Sequence, residues 1–196
     1  MKLSYIFLVC LIISSQINQA QNIKIISGDF GFVKTTKTFK VIYNFANMRV
    51  GKLGEDDYLN ERFKALDRRE PGLGGRFKES WFRDREFKYP QKFEEQFNEI
   101  GQKFGLIVSR SSGEVQMEVQ TTFTQPGQNS DNLKSPASID LNISFSQNGK
   151  ELAKLSASSI HGQSIGTSDS DTGTRIADAY GKAGKALAQF LSKYVK

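Results

Sequence analysis

Between Ala137 and Ile160, apolar and polar side chains alternate on both sides of a single Asn-Gly pair. Ile139, Leu141, Ile143 and Phe145 are separated by Asp140, Asn142 and Ser144; beyond the pair, Ala153, Leu155 and Ala157 are separated by Lys154 and Ser156. Period-2 alternation flanking Asn148-Gly149 predicts a β-hairpin with one dry face. A two-residue turn would set Lys154 opposite Ile143 and put a charge on that face. The pattern therefore favours a three-residue loop, Gln147-Asn148-Gly149, pairing Ile143 with Ala153 and Leu141 with Leu155.

The same alternation marks two other strands. Phe39, Val41, Tyr43 and Phe45 share one side of a segment that ends near Asn47, and Val115, Met117 and Val119 alternate with Gln116, Glu118 and Gln120. Ile23-Lys24-Ile25, continuing to Phe30, Phe32 and Val33, reads as a first strand, and Leu106-Ile107-Val108 as a short buried one. Helical spacing takes over elsewhere. Asp56 or Asp57 can cap a helix through Leu59, Phe63 and Leu66, which Pro71-Gly72 must stop. Pro90 opens a second helix with Phe93, Phe97, Ile100 and Phe104 as its stripe and Gly105 at its end. The last helix, capped by Thr172 or Thr174, carries Ile176, Tyr180, Ala183, Leu187 and Leu191, with Gly181 and Gly184 small enough for close approach to the sheet. Arg76 to Lys88 follows neither period, and Gln125 to Ser135 reads as a loop.

These elements predict an α+β fold: a single, mostly antiparallel sheet of about five or six strands, with amphipathic helices, including a long C-terminal helix, packed on one face. Residues 1–20 stand apart. Lys2, an apolar run from Tyr5 to Ile13 and a polar segment ending at Ala20 have the anatomy of a secretory signal peptide. Residues 21–196 then form a single α+β domain, with no transmembrane span in the mature chain, secreted or periplasmic. Cys10, the sole cysteine, lies in the leader, and Val9 precedes it where a lipoprotein signal wants a small residue. An exported chain without disulfides fits a bacterial periplasm. Roughly 175 residues suffice for an unaided core.

Removing Lys2 with the leader lowers the formal net charge from +6 to +5. The signs are interspersed, which argues against nucleic acid and allows weak attraction to anionic envelope polymers. No catalytic set converges in the sequence. His161 is the only histidine and no Gly-x-Ser-x-Gly elbow exists. Asp169-Ser170-Asp171-Thr172-Gly173 starts like a calcium loop, but Tyr180 stands where the closing Glu should be. Gly72-Leu73-Gly74-Gly75-Arg76 follows a helix and lacks the Gly-Lys-Ser/Thr ending of a phosphate cradle. Catalytic residues, metal ligands and cofactors are therefore not assigned.

The best patch is basic and aromatic. Trp81, Arg83 and Arg85, with Arg76 and Lys78, sit among Phe77, Phe82 and Phe87, a composition suited to holding anions and stacking on rings. The competing account turns the aromatics inward and leaves the charges solvated.

The residues Gly28-Asp29-Phe30-Gly31-Phe32, Asn44-Phe45-Ala46-Asn47-Met48-Arg49-Val50-Gly51-Lys52, Glu118-Val119-Gln120-Thr121-Thr122, Pro126-Gly127 and Arg175-Ile176-Ala177-Asp178-Ala179-Tyr180 make the mature chain resemble a class of secreted, uncharacterised proteins common in the Bacteroidota. More loosely, the order of elements resembles small envelope lipoproteins: the curli-secretion type, penicillin-binding-protein activators and the amino-terminal domain of TolB. The resemblance implies an envelope location and carries no catalytic motif. The expected function is thus an exported, non-enzymatic envelope protein that binds a protein or an anionic glycan or lipid. The alternative is an envelope hydrolase using carboxylates such as Glu55, Asp56, Asp169 or Asp171.

Overall fold

The computed structural model describes residues 22–130, 133–162 and 172–196. The expected signal peptide, and Asp169 and Asp171, lie outside them. In chain order the elements are β1 (Asn22–Gly28), β2 (Thr38–Asn44), β3 (Arg49–Val50), β4 (Leu53–Gly54) and α1 (Glu55–Asp67). Then come α2 (Leu73–Arg83), a π-turn (Asp84–Lys88), α3 (Tyr89–Gly101), β5 (Ile107–Ser109) and β6 (Val115–Gln125). The chain finishes with β7 (Gln128–Ser130), β8 (Leu133–Ser135), β9 (Ser138–Gln147), β10 (Lys150–His161) and α4 (Thr172–Leu191).

The protein is α+β, but its sheet is mixed and larger than the five or six strands expected. Among the described residues eight strands join it, six of them in the order β1-β10-β9-β6-β2-β5 with β3 and β4 at the side. Antiparallel pairing holds from β1 to β6, whereas β2 runs parallel to both β5 and β6, and β3 parallel to β6. The three helices between β2 and β5 return the chain to the end at which β2 began, which makes the next strand parallel. Alternation along a strand reports its dry face and not the direction of its neighbour.

The dry face is continuous. Met117, Phe145 and Ala153 align across β6, β9 and β10, and so do Val119, Ile143 and Leu155. All six are at most 1% exposed. The opposite face carries Gln116, Glu118, Gln120, Asn142, Ser144 and Ser146 and stays partly exposed.

The hairpin differs from the three-residue expectation. Asn148 and Gly149 both take positive φ (51° and 77°), and Gln147 pairs directly with Lys150, so the turn has two residues. A bulge between Glu151 and Ala153 then shifts the register by one, so Leu155 rather than Ala153 faces Ile143. The conflict between turn and charge is resolved inside the strand: the bulge at Leu152 sends Lys154 to the wet face. The first strand also ends earlier than its pattern suggested. A 3-10 turn spans Gly31–Lys34, and Phe30 just before it packs on Phe145 and Phe190 at 5.7 and 5.2 Å between ring centroids. Within Gln125 to Ser135, β7 and β8 pair as a small separate ribbon.

Helices α3 and α4 cover the dry face and each other. The small residues of α4 admit α3, not the sheet: a Cβ on Gly184 would lie 2.2 Å from the Phe93 carbonyl oxygen. At that crossing only glycine fits without separating the helices. Tyr180 of α4 stacks on Tyr89 with centroids 5.0 Å apart, and its hydroxyl bonds Thr121 of β6. Burial raises the Tyr180 pKa. Phe104 falls outside the α3 stripe, in a following 3-10 turn, and is 41% exposed. No helix among the described residues is long and apolar enough to cross a membrane.

Candidate functional site: a cleft between α1, α2 and α4

The segment that followed neither period is helical. From Leu73 to Gly101 the chain runs as one helix interrupted only by the π-turn. Pro90 explains the interruption, since it offers no N–H to a carbonyl one turn back. The Glu86 carbonyl, four residues earlier, instead accepts a hydrogen bond from Arg110 Nη1 at 3.3 Å. π-turns of this kind recur at functional sites.

Helix α1 begins directly after Gly54, which caps it without a side chain, so Asp56 and Asp57 lie in its first turn rather than at its cap. There they favour the positive end of the helix dipole. Helices α1 and α2 then meet closely. The Gly74 amide donates to Asp67 Oδ1 at 2.8 Å, and a Cβ on Gly74 would come within 2.6 Å of the Phe63 carbonyl oxygen.

Beside this contact lies a cleft of about 310 Å³. One face of α2 provides Arg76, Phe77, Ser80 and Trp81, and the π-turn adds Asp84. Arg62 and Leu66 of α1 stand opposite, and Thr172 and Gly173 at the start of α4 form an end. The volume is at the lower limit of small-molecule sites, roughly 300–1,000 Å³. Tyr58, Phe77 and Trp81 form an aromatic cluster behind the wall, with centroids 5.4 to 6.4 Å apart. Burial raises the Tyr58 pKa, and the Arg62 charge partly offsets it.

Trp81 links the cleft to a half-dry ion pair. Its indole N–H donates to Glu55 Oε1 at 2.6 Å, and Arg85 Nη1 donates to both Glu55 oxygens at 2.7 Å. The Arg85 and Glu55 side chains are 20% and 14% exposed. The Arg85 guanidinium lies over the rings of Phe45 and Phe82, at 4.3 and 5.5 Å. Glu55 thereby ties the first turn of α1 to α2, the π-turn and the end of β2.

The five residues singled out from the sequence separate on this framework. Trp81 and Arg76 line the cleft; Trp81 is a wall residue at 3% exposure, and Arg76 is exposed and paired with Glu70. Arg85 joins through Glu55. Lys78 bonds Asn60 Oδ1 at 2.9 Å and lies over Phe63, and neither it nor the exposed Arg83 lines the cleft. Among the lining residues missed were Arg62 and Leu66 on α1, Ser80 on α2 and Asp84 on the π-turn. Spacing of three and four from Leu73 through Phe77 and Ser80 to Asp84 would have grouped them, had α2 been read as a helix.

Of the carboxylates considered for hydrolysis, Glu55 is held by Arg85 and Trp81, and Asp56 is exposed on α1. His161 ends β10 with its side chain exposed, and its carbonyl accepts from Lys182 Nζ. Among the described residues no group of three or more His, Cys, Asp or Glu side chains is placed to hold a metal ion. The chain matches no protein-family model, no curated protein and no solved structure.

Proposed function

We propose that the chain is an exported, non-enzymatic α+β module of the cell envelope, and that it binds its partner through the cleft between α1, α2 and α4. The observation carrying this reading is the union, in one concavity, of aromatic walls with the arginines Arg62 and Arg76. Such a combination holds an anionic group beside an apolar or ring-shaped one. The resemblance to secreted and envelope proteins agrees with this location, and the leader-like residues 1–20 supply the route.

Co-sedimentation with isolated bacterial envelopes tests it. Ser80→Phe fills the cleft from the α2 side and should lower retention several-fold with little change in melting temperature. Arg83→Ala, outside the cleft, should leave retention as in the wild type. Equal retention of Ser80→Phe and wild type would remove the cleft from the binding reading.

A further inference from the structure

The charges around the cleft do not cancel. At its mouth Arg76 is paired with Glu70, and at its inner end Lys88 lies 3.2 Å from Asp84. Arg62, exposed on α1, makes no ion pair or hydrogen bond among the described residues; its guanidinium lies over the Phe77 ring at 5.9 Å. Among the described residues one positive charge is therefore left without a counter-charge, presented from an aromatic face with no protein acceptor on its N–H donors. A guanidinium in that state is suited to a single carboxylate, sulfonate or phosphate group.

The walls between these charges are mostly apolar. Leu66, Leu73, Phe77 and Trp81 supply most of the wall; among the polar lining groups the Asp84 carboxylate is paired with Lys88, the Thr172 hydroxyl accepts from Arg175 Nη2 at 3.2 Å, and Tyr89 and Ser80 add hydroxyls. A sugar ring would have to exchange several water hydrogen bonds for these few groups, of which Asp84 and Thr172 already have partners, and every hydroxyl left unpaired costs free energy. A hydrocarbon body loses nothing on the same transfer and gains from burial. The small volume fits one chain or one fused ring system and excludes a two-tailed lipid.

Resting on the binding reading above, we propose that the cleft takes a singly charged anionic amphiphile: one acid group on Arg62 and one unbranched chain or flat ring against Leu66, Leu73, Phe77 and Trp81. The preference for hydrocarbon over carbohydrate goes beyond that reading, which is compatible with either.

Trp81 is the sole tryptophan of the chain, so its emission reports occupancy of this wall directly. Decanoate, 2-naphthoate and decan-1-ol are titrated below micelle-forming concentrations, and binding is followed by Trp81 emission and by calorimetry. The expected result is saturable binding of at least one acid to the wild type, and a decanoate response without a naphthoate one assigns a chain rather than a ring. Arg62→Gln, an exposed change that should leave the melting temperature unaltered, should weaken the bound acid roughly tenfold, in the range of a charge-assisted contact. The same variant should leave the weaker decan-1-ol interaction as it was. Ser80→Phe should abolish all three.

Failure of both acids to bind the wild type would overturn the proposal, and so would equal affinity of Arg62→Gln or decan-1-ol binding as tightly as decanoate. If the acids fail while envelope retention still depends on Ser80, only the amphiphile class is lost. If retention is independent of Ser80, the binding reading falls with it.

Discussion

The sheet with α3 and α4, and the corner built by α1, α2 and the π-turn, bury their side chains by different means. In the first region the contacts are almost wholly apolar: Phe93, Phe97, Ile176 and Leu187 meet Met117, Ile143, Phe145 and Leu155, all fully buried. Buried polar groups there are held by hydrogen bonds, as with Tyr180 and Thr121, and the buried Arg175 of α4 donates to the Pro126 carbonyl and the Thr172 hydroxyl. In the corner the helices are joined by an ion pair, an indole hydrogen bond and guanidinium–ring contacts around Glu55 and Arg85. Apolar packing is non-directional and tolerates many neighbours, whereas a desolvated ion pair holds only when both partners and their donors are in place. The first arrangement makes a core; the second holds helices apart at a fixed distance and leaves a cleft beside them.

The harshest way to break the first region is Ile143→Asp. It buries a charge without a partner in the middle of the dry face and should cost about 5 kcal/mol or prevent folding. Asn142→Asp, one residue away on the wet face, should cost under about 1 kcal/mol. Urea denaturation of the pair measures the difference, and similar midpoints would contradict the facing read from the register.

The corner should respond less violently but selectively. Glu55→Gln keeps the shape and leaves Arg85 charged against Phe45 and Phe82. Breaking a buried pair costs about 3–5 kcal/mol, and the partial exposure of this one lowers the expected loss to about 2 kcal/mol. Arg76→Gln breaks the rim pair with Glu70, whose side chains are about 60% exposed, and should cost under about 0.5 kcal/mol. Guanidinium denaturation that ranks the two variants together would deny the corner its ion-pair support.

Alkaline titration sharpens the comparison from within the core. Burial raises the Tyr180 pKa above its ordinary value of 10.0. The folded state then holds the proton more tightly than the unfolded chain. Stability from this group is complete below pH 10 and falls as pH rises through and beyond that value, by roughly 1.4 kcal/mol per pH unit. Tyr43, raised by burial and by Glu94, adds to the same loss. Tyr180→Phe should flatten the decline of melting temperature between pH 10 and 11, and an unchanged slope would mean that the phenol is solvated.

Much of the fold was present in the sequence because it is written locally. Ile139 to Phe145 and Ala153 to Ala157 carry period 2 around Asn148-Gly149, and the burial of β9 and β10 follows it position by position. Ile176 to Leu191 carries the helical stripe of α4, and Phe93 and Phe97 that of α3. Each pattern depends on residues within a few positions of one another, where side-chain direction follows from backbone geometry alone.

What depended on distant partners was decided by the tertiary structure. Whether Phe39 to Tyr43 pairs parallel or antiparallel with Val115 to Val119 is set by the helices that return the chain, not by either strand. The bulge at Leu152 exists because the two-residue turn and the dry face disagree by one residue, and only the assembled sheet requires both. Gly184 faces Phe93 because α3 lies nearer to it than the sheet does. The cleft itself joins Arg62 and Leu66 to Arg76, Ser80 and Trp81 across a turn, and their meeting depends on two helices packing at Gly74. A linear sequence records which side of each helix is apolar, but which sides will face each other is settled by long-range packing.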